Sequence, residues 1–408
     1  MLCNVFFKRR IFYVAFLFYF FSLSQIYSYD IKAKTFNNRI WQEKIFLLKQ
    51  NFHKEKLLNN LVHSMALREK ISQMLLVNIE GKDKFIPIND FKKGGDKKIL
   101  PGGYLLFSFN IAETKTKTKN FLQTVKEAHL EKTTIAPYFS IDHEGGYVNR
   151  LKNFSTVPLF SPEKIAKQFS KEEAFKIYKN EAKLLKELGI HINFAPIVEI
   201  KTAANSSFIE DRSFGSLNDV LNYASTQVLA FNSEGVYSVL KHFPGNSADD
   251  PHVKKCILDV DEKYFNEVLI PPFKNIILTN PAGILISHVM IPSIDLEPSC
   301  FSKIIITDIL RNRLKFSRII FSDDIYMASF IEIKSGSENV TDKEAAISAT
   351  KAIKAGINVI MSSEKKYLNL VEEIAKLTIN DDILKNKINE SVKIILREKE
   401  KLGLVKIF

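Results

Sequence analysis

Carboxylates, histidines and a lysine directly follow short apolar runs at several points in this chain. The residues concerned are Asp142, His143, Glu144, Glu199, Lys241, His242, His288, Asp323 and Asp324. Histidines transfer protons near neutral pH, and a carboxylate can act as a nucleophile toward an electrophilic carbon. The chain has neither the HExxH spacing of zinc enzymes nor a glycine-rich phosphate-binding loop. The pattern therefore predicts acid–base or nucleophilic chemistry on a neutral polar substrate, without a metal or another cofactor.

The alternation of apolar and amphipathic segments predicts the elements that position these residues. Eight β-rich apolar runs occur, namely Met74–Ile79, Tyr104–Phe107, Ile135–Ile141, Ile190–Ile197, Val236–His242, Ile284–Val289, Arg318–Ser322 and Ile357–Met361. Amphipathic stretches such as Lys171–Leu188 lie between most of them. Strands that alternate with helices indicate parallel βαβ units, and eight such units favour a closed (β/α)8 barrel of the TIM type. In this fold the active site lies at the carboxyl ends of the strands.

An open, doubly wound sheet is the alternative arrangement of the same elements. No GxGxxG segment follows an early strand, which disfavours that alternative. We expect one barrel domain over residues 68–378. A helical extension over residues 29–67 precedes it, because apolar residues such as Ile45, Leu48 and Phe52 recur at helical spacing. A charged helix within residues 379–408 follows it.

Residues 1–28 have the layout of a secretory signal. Lys8, Arg9 and Arg10 precede an apolar run over residues 11–23, and a more polar stretch follows. A helix that spans a membrane needs about 20 residues, so a cleaved signal peptide is favoured over an uncleaved anchor. Both alternatives predict an exported protein, periplasmic or otherwise extracytoplasmic, and the anchor would also tether it to a membrane.

Composition and charge exclude several other classes of protein. The chain has 408 residues, of which 46% are hydrophobic and 25% charged, as in an ordinary globular protein. The formal net charge is +12, but lysines are spread along the chain among acidic residues, so nucleic-acid binding is not predicted. The three cysteines provide no disulfide framework. Cys256 and Cys300 are the two outside the predicted signal, and nothing in the sequence indicates that they pair.

Nine segments, in order along residues 68–365, carry a resemblance to a known family. They are EKISQMLLVNIEG, PGGYLLFSFNI, SIDHEGGYVNRL, GIHINFAPIVEI, EDRSFGS, KHFPG with DPH after it, ILISHVMIPSID, IIFSDDI and AGINVIMSS. The sequence resembles the family 3 glycoside hydrolases and, within them, the single-domain β-N-acetylhexosaminidases. This resemblance implies a barrel fold and a carbohydrate substrate. It also implies retaining hydrolysis of terminal β-linked N-acetylglucosamine from cell-wall-derived, peptidoglycan-like glycans.

The resemblance implies roles for individual residues. Asp323 in the SDDI segment is the expected nucleophile, which forms a glycosyl-enzyme. Asp250 and His252 are the expected acid/base pair, in which His252 protonates the leaving oxygen and later deprotonates water. His143, where the family usually has glutamine, is the first substitute for His252. The substrate-binding residues that carry over are Asp142, Arg150, Arg212, Lys241 and His242. For Arg212, an ion pair with an adjacent acidic residue is the alternative role.

Two segments depart from the family pattern. The family usually reads KHFPGHG and then Asp-Ser-His, whereas this chain has Asn246 and Ser247 in place of the last His-Gly. The segment is shorter by two residues, and Pro251 stands between the members of the expected dyad, where it stiffens the backbone. Glu199 replaces the usual aspartate after the fourth strand. These changes leave open a slow enzyme or a catalytically weak, sugar-binding relic. A β-glucosidase of the same family is a further alternative, because the sequence does not locate a pocket for the N-acetyl group.

Overall fold

The structure of the chain is a computed structural model, which describes residues 31–154, 159–249, 255–327 and 340–407. Contacts within the chain form two units. The first ends at Leu57, and its described part is helical. The second comprises Leu58–Ile407 and contains the strands. The segment 1–28 lies outside the described residues, and no helix within them is long and apolar enough to span a membrane.

A closed barrel of parallel strands dominates the second unit. The strands within the described residues are β1 (Leu75–Asn78), β2 (Gly103–Leu106), β3 (Tyr138–Ile141), β4 (Ile192–Asn193), β5 (Tyr237–Phe243), β6 (Gly283–Ile286), β7 (Met290–Ile291), β8 (Asp295–Pro298), β9 (Ile319–Asp324) and β10 (Val359–Ser362). The barrel order is β1-β2-β3-β4-β5-β6-β9-β10, and β10 pairs with β1. Each of the eight predicted runs overlaps one barrel strand, so the prediction of a (β/α)8 barrel is confirmed. The antiparallel pair of β7 and β8 was not predicted.

Helices precede, connect and follow the strands. The α-helices of four or more described residues are α1 (Ile31–Ser64), α2 (Leu67–Gln73), α3 (Asn89–Gly95), α4 (Lys115–Leu130), α5 (Pro162–Gln168), α6 (Lys171–Leu188), α7 (Ser206–Ile209), α8 (Ser225–Glu234), α9 (Ile270–Ile276), α10 (Asp342–Ala355), α11 (Leu368–Thr378) and α12 (Asp382–Lys401). A π-helical segment, Ile304–Arg313, precedes β9. Helix α6 has the predicted bounds because Ser170 and Glu173 form a capping box at its start. Gly189, with φ of +88°, ends it in the left-handed conformation.

Tightly packed aromatic side chains fix the strands relative to one another. A Cβ atom on Gly103 would lie 2.3 Å from the ring of Tyr138, so only glycine allows this contact between β2 and β3. Phe194 and Phe321 are buried and meet edge to face, with 5.1 Å between the ring centroids. Because such contacts leave little freedom, the residues at the strand ends are held in defined positions.

Helix α12 packs against the amino-terminal end of the barrel. Lys399 Nζ lies 2.8 Å from Gln73 Oε1 and 2.9 Å from the carbonyl oxygen of Ala136, which precedes β3. Arg318, directly before β9, forms an ion pair with Glu398. Burial lowers the pKa of Lys399 well below its usual range. Helix α12 therefore closes the end of the barrel that lies opposite the predicted active site.

The predicted segments on either side of the barrel are helical where the structure describes them. Helix α1 falls on the predicted extension over residues 29–67, and α12 falls within residues 379–408. Leu58 and Val62 of α1 are nevertheless part of the main hydrophobic core, so the position of that domain boundary stays a prediction. Cys256 and Cys300 are both buried, and no disulfide bond joins them.

Candidate active site

A cavity of about 660 Å³ lies at the carboxyl ends of the barrel strands. Every barrel strand contributes a lining residue near or just after its end. In strand order these are Asn78, Leu105, Asp142, Phe194, Lys241, Leu285, Asp323 and Met361. The predicted site residues that lie in the described ranges all line this cavity, namely Asp142, Arg150, Arg212, Lys241, His242 and Asp323. Within the same ranges, no cluster of three His, Cys, Asp or Glu side chains is placed to hold a metal ion.

The ammonium group of Lys241 lies between two carboxylates that follow β3. Its Nζ atom is 2.6 Å from Asp142 Oδ1 and 2.6 Å from Glu144 Oε1. Burial opposes the charge of Lys241, but the two carboxylates raise its pKa above the ordinary value. Lys241 is therefore a cation at neutral pH, and it holds both acidic side chains in place beside the cavity.

Arg212 binds the second of these carboxylates with two parallel hydrogen bonds. Its Nε donates to Glu144 Oε2 at 2.8 Å, and its Nη2 donates to Glu144 Oε1 at 2.9 Å. Burial favours the neutral form of Glu144, but Lys241 and Arg212 bring its pKa down to about 2. The ion-pair partner of Arg212 is thus Glu144, which lies 68 residues away in the chain, and not an adjacent acidic residue.

Glu199 accepts four hydrogen bonds from two residues near the end of β5. Its Oε1 accepts from the backbone N–H of His242 at 3.1 Å, from His242 Nδ1 at 2.8 Å and from Asn246 Nδ2 at 3.0 Å. Its Oε2 accepts from the backbone N–H of Asn246 at 2.7 Å. Because an ionised carboxylate only accepts, this contact places a hydrogen on His242 Nδ1. Glu199 thereby fixes the orientation of a histidine that lines the cavity.

The two departures from the family pattern meet in this contact. Glu199 is one methylene longer than the usual aspartate, and Asn246 is shorter than the usual histidine. The two replaced side chains are hydrogen-bonded to each other, with 3.0 Å between Asn246 Nδ2 and Glu199 Oε1. The two replacements are therefore neighbours in the site and share hydrogen bonds.

Asp323 ends β9 beside His288. Its Oδ2 lies 4.0 Å from His288 Nε2, and its Oδ1 accepts a hydrogen bond of 2.8 Å from the backbone N–H of Asp324. Burial opposes ionisation of Asp323, but His288 and His242 together with that hydrogen bond bring its pKa below the ordinary value. Its carboxylate is ionised at neutral pH, which is the state that a nucleophile requires.

The neighbouring Asp324 has a different environment. Its Oδ1 accepts hydrogen bonds from the backbone N–H groups of Tyr326 at 3.0 Å and Ser363 at 3.1 Å. Burial raises the pKa of Asp324 above its ordinary value. This side chain joins the end of β9 to the segment after β10, and it thereby helps to fix the backbone that carries Asp323.

Arg150 brings an unused hydrogen-bond donor to the cavity. Its Nε atom is buried and has no hydrogen-bond partner among the described residues. Its guanidinium group lies 5.9 Å from the ring centroid of Phe107, over the ring face. A buried N–H group without an acceptor is unfavourable, so an oxygen atom of a ligand in this cavity would satisfy it.

Three further assignments from the sequence have different outcomes. Asp250 and His252 lie outside the described residues, so their roles stay predictions. The choice of His143 as a substitute acid/base is wrong, because its side chain does not line the cavity. His143 is buried, and its Nε2 lies 3.1 Å from Glu181 Oε2 on α6.

Glu144, Asn246 and His288 are site residues to which the sequence analysis gave no specific role. Glu144 stands two positions after Asp142, and alternate residues of an extended segment face the same side. This periodicity would have identified it. Asn246 stands directly after the KHFPG segment, where the family usually has histidine. A replacement this close to His242, a predicted substrate-binding residue, is also a recognisable signal. The contact between His288 and Asp323 joins the segment after β6 to the end of β9, and no local pattern in the sequence indicates it.

Comparison with known sequences places this geometry in a family. The chain matches the family described as "Glycosyl hydrolase family 3 N terminal domain" over residues 66–397. Beta-hexosaminidase A of Pseudoalteromonas piscicida is 31% identical over 248 residues, which cover 56% of this chain and 41% of that protein. A beta-hexosaminidase of Idiomarina loihiensis is 29% identical over 279 residues, which cover 65% of this chain and 78% of that protein. The matched region thus spans less than half of the first relative.

Solved structures share the fold of this chain. LpqI of Mycobacterium tuberculosis aligns with a TM-score of 0.70 and 22% identity, over 84% of this chain and 96% of that one. A beta-N-acetylhexosaminidase from Beutenbergia cavernae aligns with a TM-score of 0.71 and 19% identity, over 83% of this chain and 99% of that one. Because the family match extends over most of the sequence and its barrel is the fold observed, the chain belongs to glycosyl hydrolase family 3.

Proposed function

We propose that the protein is a retaining β-N-acetylhexosaminidase that removes terminal β-linked N-acetylglucosamine from cell-wall-derived or related glycans. The observation that carries this proposal is the ionised carboxylate of Asp323 at the end of β9, which lines the cavity of a family 3 barrel. The relatives from Pseudoalteromonas piscicida and Idiomarina loihiensis are beta-hexosaminidases. Their names favour an amino sugar over glucose as the substrate.

The proposed reaction has two displacements at the anomeric carbon. In the first, an Asp323 oxygen bonds to that carbon, and the glycosidic bond breaks as the leaving oxygen takes a proton from the acid. In the second, water loses a proton to the same group, now a base, and attacks the anomeric carbon. The bond to Asp323 then breaks and its carboxylate is regenerated. Two inversions give net retention of configuration.

We assign the acid/base role to His252, with Asp250 as its partner. A histidine titrates near neutral pH, so one side chain can serve as the acid in the first step and as the base in the second. An adjacent carboxylate stabilises the imidazolium and fixes the ring. The family pattern supports this assignment, whereas the shorter segment with Pro251 argues for a slower enzyme.

The remaining residues of the cavity are proposed to bind the sugar. Asp142 accepts hydrogen bonds from hydroxyl groups, and Arg150 Nε donates to one of them. Because its hydrogen lies on Nδ1, His242 accepts from a hydroxyl group through Nε2. Lys241 has three N–H groups, of which two point to Asp142 and Glu144, so the third remains for a hydroxyl. Arg212 acts mainly through Glu144, because its two shortest contacts are to that carboxylate.

We further propose that the protein acts outside the cytoplasm. The layout of residues 1–28 supports export, either with cleavage or with retention as an anchor. A cell-wall-derived substrate is compatible with that location. Mass spectrometry of the amino terminus of the exported protein would distinguish a cleaved signal from a membrane tether.

The test of the activity compares two substrates on the purified chain. We expect turnover of an aryl β-N-acetylglucosaminide to exceed turnover of the matching aryl β-glucoside. Asp323→Ala should abolish turnover with an unchanged melting temperature. A variant that keeps more than about a tenth of the wild-type kcat would contradict the assignment of the nucleophile. Such a change in kcat corresponds to a rise of less than about 1.4 kcal/mol in the activation free energy.

A second candidate is a sugar-binding protein with little activity, which the shortened segment between Asn246 and His252 favours. In that case neither aryl glycoside would be turned over, and N-acetylglucosamine would still bind. Arg150→Met should weaken this binding, because it removes the donor that the cavity leaves unsatisfied. Faster turnover of the glucoside would instead indicate a β-glucosidase of the same family.

A further inference from the structure

Helix α1 carries a row of exposed large apolar side chains. Trp41, Ile45, Leu48 and Phe52 are each between 48% and 75% exposed. Because α-helices have 3.6 residues per turn, their spacing of four, three and four residues places all four within an arc of ~60°. We refer to these four residues as the α1 stripe. Four large apolar side chains in a continuous row are unusual on a surface that faces only water.

The stripe contrasts with the later part of the same helix. Leu58 and Val62 are almost completely buried and belong to the main hydrophobic core. In α1, Leu58 and Val62 near the carboxyl end are therefore part of the core of the second unit, whereas the four residues of the α1 stripe are exposed. The stripe is thus an exposed apolar surface outside that core.

Lysines border the stripe on both sides. Lys44 lies along one edge, Lys49 and Lys56 lie along the other, and all three are exposed. The sequence of residues 31–57 contains seven basic residues and two acidic ones. The basic residues are Lys32, Lys34, Arg39, Lys44, Lys49, Lys54 and Lys56, and the acidic residues are Glu43 and Glu55. Their difference, 7 − 2, is a net charge of +5.

We propose that α1 lies on the surface of an anionic lipid bilayer, with the α1 stripe inserted at the level of the headgroups. Apolar residues including tryptophan on one face, with lysines beside them, are the features of a helix that lies in a membrane interface. Anionic headgroups complement the lysine edges, and each lysine near such a surface adds to the attraction. The partner is thus a lipid surface with negative charge.

The charges disfavour a second copy of the chain as the partner. Spacings of four and three residues also occur in coiled coils, where the residues beside the apolar seam meet those of the partner helix. Here Lys44 and Lys49 flank the seam, so a parallel dimer would bring like charges together. This arrangement is destabilising, whereas an anionic bilayer neutralises both lysines.

Trp41 makes this proposal directly measurable, because it is the single tryptophan of the chain. The fluorescence of the full chain therefore reports on the environment of the stripe. With vesicles that contain phosphatidylglycerol, we expect the emission to shift to shorter wavelength and to be quenched by brominated acyl chains. With vesicles of phosphatidylcholine alone, or at high salt, both effects should be weaker, because screening reduces the attraction.

A matched pair of variants isolates the stripe from every other membrane-binding segment of the full chain. Leu48→Asp places a charge in the stripe, and Phe46→Asp places the same charge on an exposed residue of α1 outside that arc. Leu48→Asp should lower partition into anionic vesicles by about tenfold or more, the scale expected when one large apolar contact is lost. Phe46→Asp should change it by less than about threefold. Unchanged circular dichroism and melting temperature would verify the fold of both variants.

Three results would overturn the proposal. The first is Trp41 emission that stays at long wavelength while the chain is bound to vesicles, with the Trp41 side chain still accessible to an aqueous quencher. The second is an equal loss of partition in the Leu48 and Phe46 variants. The third is a blue shift that grows with protein concentration in the absence of vesicles, which would assign the stripe to a second copy of the chain. None of these readouts depends on hydrolase activity.

Discussion

His288 Nε2 lies 4.0 Å from Asp323 Oδ2, and this pair joins the segment after β6 to the end of β9. The same Nε2 atom lies 3.2 Å from Met327 Sδ. The side chain of His288 is fully buried. Asp323 is largely buried as well, which by itself would favour its neutral form. The histidine is therefore a positioning residue that also keeps the proposed nucleophile ionised.

The first prediction concerns the pH dependence of this pair. His288→Gln removes the electrostatic interaction of His288 that lowers the pKa of Asp323, so that pKa should rise. Because the nucleophile must be ionised, the acidic limb of kcat/KM should move to higher pH. The measurement is the pH profile of kcat/KM for both proteins. A lower plateau with an unmoved acidic limb would mean that His288 acts only through packing.

The second prediction identifies the covalent intermediate. A mechanism-based fluoro-sugar slows hydrolysis of the glycosyl-enzyme, so the adduct should accumulate on Asp323. Peptide mass spectrometry should locate the label in the segment that contains Asp323 and Asp324, and fragmentation should assign it to the first. Asp323→Ala should remain unlabelled. A label on any other carboxylate would refute the assignment.

The third prediction concerns His252. His252→Ala should slow substrates with poor leaving groups most, because these need protonation, by about 10²–10⁴-fold. Activated aryl glycosides should lose less in the first step and stall at hydrolysis of the intermediate. Asp250→Asn should act in the same direction and non-additively with it. Equal losses on good and poor leaving groups would point to a purely structural His252.

The fourth prediction tests whether Glu199 and Asn246 act as a pair. Glu199→Asp or Asn246→His alone should lower kcat/KM, because each disturbs hydrogen bonds to the buried Glu199 carboxylate. A hydrogen bond to a charged group contributes about 1.5–3 kcal/mol. The double variant restores the usual family pair, so it should lose less than the two single losses combined. A double-mutant cycle of kcat/KM measures this coupling. Additive losses would show that the two replacements are independent.

The fifth prediction concerns acid stability. The pKa of Glu144 falls from 4.5 to about 2 in the folded protein. A carboxyl group whose pKa is lower in the folded state stabilises the fold at pH values above its pKa in the unfolded state. This stability is lost as the pH falls from about 5 toward 2. The contribution of Glu144 is about 3 kcal/mol.

Denaturant titrations at a series of pH values would measure this effect. Glu144→Gln should be less stable at neutral pH, and its free energy of unfolding should change less between pH 5 and pH 2, because glutamine does not titrate. Glu267→Gln, at an exposed position, is the control and should keep the slope of the wild type. An unchanged slope in the Glu144 variant would contradict the prediction.

The sequence predicted the barrel and most of its rim because both depend on local patterns. Apolar runs fix the strands, and the residues that follow them necessarily meet at one end of a parallel barrel. His143 was assigned to the wrong side although a local rule applies to it. Neighbouring side chains of an extended segment face opposite sides, so Asp142 and Glu144 face the cavity while His143 contacts α6.

Other contacts of the site could not be predicted in this way. Arg212 binds a carboxylate 68 residues away, and Glu199 meets the end of β5 more than 40 residues later. Such pairs depend on the three-dimensional closure of the barrel and on the rotamers that packing permits. The short strands β7 and β8 were also missed, since two strands of two and four residues leave almost no periodicity in the sequence.

The pairing of β1 with β10 determines when the fold can be completed. Leu75 pairs with Ile360, and Lys399 on α12 reaches Gln73 and Ala136 near the start of the barrel. A nascent chain therefore carries an open sheet with a bare edge on β1 until Val359–Ser362 has left the ribosome. Deletion of α12 would leave a closed sheet with an uncovered apolar end. Such fragments should aggregate or require chaperones, because unpaired strands and exposed core surfaces recruit other chains.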